Sequence, residues 1–189
     1  MDAPRTGLGP ASPPRSGPAA SFEPVFVLGI DPGLTRCGYG AVVREGHRMR
    51  AVAAGVLTTS PALPLPERLL ELRDGLRALI AEHRPEAVAV ERVFFSANVR
   101  TAMSVGQASG LALTEAAAAG CVIAQYTPNE VKQAVAGWGA APKEQVGRMV
   151  ASLLGLSEPP RPADAADALA LALCHLAGAP LRAALGRST

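Results

Sequence analysis

Four acidic residues stand where a packed chain can least accommodate them, and they constrain what it can fold into. Asp31 closes the apolar run Val25-Phe26-Val27-Leu28-Gly29-Ile30, and Glu91 closes Ala87-Val88-Ala89-Val90. Asp167 lies inside Ala165-Ala166-Asp167-Ala168-Leu169-Ala170-Leu171, with Asp164 three residues before it. An unpaired buried charge costs several kcal/mol, on the order of the whole stability of a domain. The fold must therefore bring these acids to a place where something cationic compensates them. A divalent metal held by carboxylate oxygens meets that need with a single group.

The length, 189 residues, suits one domain with room for a proper core. With 49% hydrophobic and 18% charged residues the chain reads as a packed globule. Cys37, Cys121 and Cys174 have neither ligand spacing nor an even count, which points to a reduced, cytoplasmic protein. No apolar run approaches the ~20 residues of a membrane span. A net charge of +2 does not by itself indicate a nucleic-acid partner, so any basic footprint must be local. The cations hold a sharper fact: 16 are arginine, and the only lysines are Lys132 and Lys143. Lysine offers a compact, tunable ammonium where arginine offers a permanently charged fork, so two lysines close together in an arginine-rich chain mark candidate positions of need.

Residues 1–22 are rich in Pro, Ala, Ser and Gly without apolar periodicity and read as a disordered arm. They contain no apolar segment of the secretory kind, and their prolines spoil an amphipathic transit helix. One folded domain is expected over 23–178, followed by a short basic tail over 179–189 that frays. Within the domain, strands are predicted at Val25 to Asp31, Gly38 to Arg44 and Met49 to Thr58, with tight connections at Pro32-Gly33 and Glu45-Gly46. Leu69, Leu72, Leu76, Leu79 and Ile80 form one helical stripe within 66–84, which Arg84-Pro85 ends. Ala87 to Glu91 is a short strand apolar on both sides, hence internal to a sheet.

A long helix from about Asn98 to Ala119 carries small residues at Ala102, Gly106 and Gly110, with Gly120 as its C-cap. Val122 to Tyr126 is a fifth strand, and Thr127-Pro128 caps and opens the next helix. Further helices fit Lys143 to Leu154 and Ala163 to Leu176. The order implies an α/β fold, a five-stranded mixed sheet flanked by helices, in which an antiparallel meander is extended by right-handed crossovers. If the first and fourth strands are parallel neighbours, Asp31 and Glu91 emerge at one carboxyl edge, where open α/β sheets place their ligands.

Asp164 and Asp167 share a face at the start of the last helix. Asp167, Leu171 and Cys174 make one stripe that should face the sheet. Four such oxygen ligands can hold two Mg²⁺ or Mn²⁺ ions about 4 Å apart, the arrangement used for in-line displacement at phosphorus. Asp164 alone is equally explained as a first-turn acid of a helix.

The runs Gly29-Ile30-Asp31-Pro32-Gly33, Glu91-Arg92-Val93-Phe94-Phe95, Val131-Lys132-Gln133 and Ala163-Asp164-Ala165-Ala166-Asp167-Ala168-Leu169-Ala170 resemble, in order, motifs of the RuvC family of Holliday-junction resolvases. The resemblance covers about Val25 to Leu176. It implies a ribonuclease-H-like fold, a homodimer, and Mg²⁺- or Mn²⁺-dependent cutting of four-way DNA junctions in recombination and repair, beside a branch-migration helicase complex. In that family the four acids are the metal-binding, catalytic set, which falls on Asp31, Glu91, Asp164 and Asp167. Its two lysines near the scissile phosphate fall on Lys132 and Lys143. The first aromatic after the second acid is the functional one there, which is Phe94, with Phe95 beside it; apolar side chains of this kind unstack bases. Arg92, Arg100 and Arg148 are candidate phosphate contacts, or plain solvated charges. The strand-turn around Asp31 is shared with ATPases and phosphotransferases, which leaves that class, a non-cleaving junction binder and an RNA-directed nuclease as alternatives.

Overall fold

The structure, a computed structural model, describes residues 24–92 and 99–185, with side chains for 24–92 and 101–178. The arm expected over 1–22, most of the loop after Glu91 and residues 186–189 lie outside the described residues. In chain order the elements are β1 (Val25–Asp31), β2 (Arg36–Glu45), β3 (Arg48–Thr58), α1 (Leu65–His83), β4 (Ala87–Glu91), α2 (Val99–Ala118), β5 (Val122–Tyr126), α3 (Pro128–Ala136), α4 (Lys143–Leu154) and α5 (Ala163–Leu185). The sheet runs β3-β2-β1-β4-β5. β1 pairs antiparallel with β2, and β2 antiparallel with β3. β4 is parallel to both β1 and β5. This is the expected five-stranded mixed sheet.

The helix ends have local causes. Arg84 takes a left-handed conformation (φ 44°) and its N–H donates to the Ile80 carbonyl, which stops α1 before Pro85. Thr127 caps α3 in a capping box: its hydroxyl accepts from the Glu130 N–H, and the Glu130 carboxylate accepts from the Thr127 N–H. α5 does not stop at Leu176 as the sequence pattern predicts. It continues to Leu185, through the stretch expected to fray, because alanine and leucine on both sides of Pro180 keep a high helix propensity.

The period of two along each strand sorts the core. Val27, Val42, Ala87 and Ala89 face α3, α4 and α5, in a cluster with Val131, Val135, Val150, Leu169 and Leu173. Leu28, Ile30, Val88 and Val90 face α1 and α2, packing with Leu72, Leu76, Ala108 and Ala112. Asp31 follows Val27 and Gly29 on the α5 face, and Glu91 follows Ala87 and Ala89 on the same face. The register Ile30 to Val90 then sets the two acids side by side at one end of adjacent parallel strands. Among the described residues, no helix is long and apolar enough to cross a membrane.

Candidate active site

α5 reaches the acids because glycine lets it lie on the sheet. A Cβ at Gly29 would collide with the Ala168 carbonyl, and one at Gly38 with the Asp164 carbonyl. The helix backbone therefore rests on β1 and β2 with no side chain between, and its first turn stops beside Asp31. There a cavity of about 320 Å³ is lined by Asp31, Glu91 and Asp167 together with Lys132 from α3 and Lys143 from the start of α4. Val131, Val146, Ala170 and Leu171 supply apolar walls.

The electrostatics show an excess of negative charge in a half-buried place. Burial first, and then the hydrogen bond and charge of Glu91, push the Asp31 carboxyl from its ordinary 3.8 up to about 8, with Asp167 and Asp164 adding to the repulsion. Two carboxylates this close cannot both be ionised comfortably, and a proton between them relieves the strain. Lys143 relieves part of it elsewhere: its Nζ donates to Asp167 Oδ2 at 2.8 Å, and this hydrogen bond holds the ammonium above its usual range.

Asp164 stands at the margin, outside the cavity lining. Arg36, at the start of β2, donates to its Oδ2 from Nη2 at 2.7 Å and from Nε at 3.1 Å. That contact holds the Asp164 carboxyl below the usual carboxylate range. Sequence reasoning did not find Arg36. It lies 128 residues from its partner, and the only local signal is its place two residues before a glycine facing α5.

The other expected site residues divide. Lys132 and Lys143 both border the cavity. Arg92 is exposed just beyond β4; its backbone N–H donates to the Tyr126 carbonyl at 2.8 Å, and its Nη2 lies 3.5 Å from the Gln125 carbonyl. Arg148 is exposed on α4. Arg100 belongs to α2 by its backbone, and its side chain lies outside the described residues, as do Phe94 and Phe95. A larger recess of about 570 Å³, lined by Arg77, Arg84, Glu115 and Cys121 among others, sits between α1 and α2. Its one buried acid, Glu115, is already gripped by Arg77 through two hydrogen bonds of 2.9 and 3.0 Å. The smaller cavity differs in gathering three acids and both lysines.

Among the described residues, no three His, Cys, Asp or Glu side chains converge tightly enough to hold an ion in these rotamers. One oxygen each of Asp164 and Asp167 is engaged by Arg36 and Lys143. The donor set nonetheless fits a hard divalent cation. The donor atoms are carboxylate oxygens, and the neighbouring acids that, after burial, push the Asp31 carboxyl up are an excess of negative charge that a cation would offset.

The fold and site define an α/β nuclease of ribonuclease-H-like architecture. Residues 27–175 match the family model for crossover junction endodeoxyribonuclease RuvC. The RuvC of Salinispora arenicola is 59% identical over 151 residues, covering 79% of this chain and 86% of the relative. The solved Thermus thermophilus RuvC structure is 44% identical, with a TM-score of 0.78 over 83% of this chain and 96% of that one. The T. thermophilus RuvC solved with a Holliday junction substrate superposes with a TM-score of 0.79 at the same identity and coverage. The chain belongs to the RuvC family of crossover junction endodeoxyribonucleases, a family of divalent-metal-dependent nucleases. That membership sets aside the ATPase and phosphotransferase alternatives.

Proposed function

We propose that this chain resolves four-way DNA junctions by hydrolysing a phosphodiester in each of two strands, with Asp31, Glu91, Asp164 and Asp167 as the metal-holding set. The observation that carries this reading is the convergence of three of these acids and both lysines on one cavity. Support for the substrate comes from the T. thermophilus relative, which was solved with a Holliday junction.

Mg²⁺, or Mn²⁺ in its place, at two ions per site would polarise the scissile phosphate and lower the pKa of the attacking water. The chain's own groups do the rest. Asp31 and Glu91, fixed at the ends of paired parallel strands, hold ligand oxygens in a set geometry. Lys143 and Lys132 place positive charge against a phosphate at the cavity mouth. The apolar walls limit the water that competes with the ordered nucleophile. Phe94 and Phe95 follow Glu91 by a few residues and are our candidates for unstacking bases at the junction centre. Arg92, Arg100 and Arg148 are candidate contacts to the DNA backbone.

Two equivalent cuts call for two equivalent sites, and a homodimer with two-fold symmetry supplies them. The exposed face of α2 around Met103, Gly106 and Gly110 suits that contact, since a Cβ at either glycine would meet nothing within 4 Å. Work beside a branch-migration helicase in the cytoplasm belongs to the same proposal.

The test is cleavage of a four-way junction, a linear duplex and an RNA–DNA hybrid, each with Mg²⁺ and with Mn²⁺. The junction alone should be cut. Asp31→Asn should lower the rate by about 10³-fold or more while junction binding survives. Normal cleavage by Asp31→Asn, or equal cutting of the linear duplex, overturns the proposal.

A further inference from the structure

Arg36 carries no recognised motif, yet it makes the main contact of the fourth acid. Both its Nη2 and its Nε donate to Asp164 Oδ2, at 2.7 and 3.1 Å, which leaves Oδ1 outside the clamp. Side-chain exposures of 48% and 29% make this a partly solvated pair, and such pairs add little to stability. What the contact fixes is a direction. Arg36 and Gly38 project to the same face of β2, and the space a Cβ would take at Gly38 is filled by the Asp164 carbonyl. The strand thus lies against the first turn of α5 just where the guanidinium reaches across.

The segment that bears Arg36 is itself held. Thr59, buried beyond the end of β3, donates its hydroxyl to the Leu34 carbonyl at 2.6 Å and its N–H to the Thr35 carbonyl at 3.2 Å. Arg68 of α1 bridges both threonines, donating from Nε to Thr59 Oγ1 at 3.0 Å and from Nη2 to Thr35 Oγ1 at 2.8 Å. A continuous set of hydrogen bonds and covalent links therefore joins α1, the β1–β2 connection, Arg36 and Asp164.

We propose that Arg36 is a positioning residue of the metal site. It grips one oxygen of Asp164 and leaves the other for a cation shared with Asp31, Glu91 and Asp167, while Arg68 and Thr59 keep the turn beneath it in place. This rests on the assignment of the four acids as the metal-holding set. Ligating carboxylates are commonly hydrogen-bonded by such outer groups, and losing one weakens metal binding by about 10- to 100-fold.

The experiment is calorimetric titration of Mn²⁺ into the full chain without DNA, for wild type, Asp31→Asn, Arg36→Gln, Arg36→Lys and Arg68→Gln, with the thermal midpoint of each variant recorded. Arg36→Gln should bind Mn²⁺ about 10-fold more weakly at a midpoint near that of wild type. Arg36→Lys should recover only part of the loss, because lysine keeps the charge and not the fork. Arg68→Gln should show a smaller loss of the same sign. If Arg36→Gln fails to fold, weaker Mn²⁺ binding by folded Arg36→Lys carries the same prediction. Binding that Asp31→Asn weakens but both Arg36 variants leave unchanged removes Arg36 and spares the four-acid site. Tighter binding in Arg36→Gln also overturns the proposal, making the guanidinium a rival of the metal. An isotherm that Asp31→Asn leaves unaltered overturns the metal site itself, and the role of Arg36 with it.

Discussion

The two faces of the sheet are covered in different ways. On the α1–α2 face, large side chains do the spacing: Leu28, Ile30, Leu72 and Leu76 are all at most 1% exposed and interdigitate between sheet and helices. On the α5 face, glycine removes the spacer, and helix backbone meets strand backbone at Gly29 and Gly38. The first kind of contact buries much apolar surface and tolerates small shifts, because side chains have rotamers to adjust. The second leaves no slack, because backbone atoms have no rotamers. Asp31, Glu91 and Asp167 line the cavity on this stiff face, with Asp164 held by Arg36 at its margin. Both faces bury a hydrophobic core, but only the α5 face adds backbone-to-backbone seating beside the acids.

That contrast can be broken by substitution. The largest effect is expected at Gly38, where valine must push the start of α5 off the sheet. Gly38→Val should destabilise by about 1–3 kcal/mol through overpacking, and a displacement near 1 Å should cost junction cleavage about 10²-fold. Wild-type cleavage by Gly38→Val would show that the close approach does not set the site. Leu76→Ala, on the opposite face, should cost about 2–5 kcal/mol in urea denaturation while the folded protein cuts at its normal rate. A rate that falls with stability there would mean the two faces are not separable.

A pH series sharpens the comparison on the chemical side. Asp31 holds its proton more tightly folded than unfolded, so between 3.8 and about 8 the folded chain carries the extra proton. With metal chelated, its contribution makes stability fall as pH rises through that window and level off above it. Asp164, shifted the other way, contributes stability that is lost only as the pH drops below the usual carboxylate range, outside this window. The decline between pH 5 and 8, followed by urea midpoints, should be shallower in Asp31→Asn; equal slopes would remove Asp31 as its source. The smallest change is expected for the stability of Lys143→Gln. Its pair with Asp167 is 74% and 35% exposed, so the loss should stay within about 1 kcal/mol even as cleavage declines.

Much of this architecture was legible along the chain. Alternating and continuous apolar runs located all five strands, and the stripe through Leu69, Leu72, Leu76 and Leu79 located α1. Thr127-Pro128 announced α3, and the acids at the ends of β1 and β4 pointed to a shared edge. Three of the four expected acids, and both lysines, meet at one cavity. The end of α5 was misjudged because a proline inside a helix-favouring stretch reads locally as a stop. Arg36, Thr59 and Arg68 were not legible, since nothing in their neighbours distinguishes them from ordinary surface and turn residues.

The sequence by itself determined the elements, their order, and which acids end apolar segments, because those depend on periodicity and turn chemistry within a few residues. The tertiary structure alone decided which cation each acid meets. Arg36 finds Asp164 across 128 residues and Lys143 finds Asp167 across 24, and both pairings exist only once the sheet register and the seat of α5 are fixed. It decided as well that the Asp31 carboxyl is pushed up from its ordinary range, for burial and the approach of Glu91 are properties of two strands brought side by side. Charge acts through space, and the distances along the chain carry no record of it.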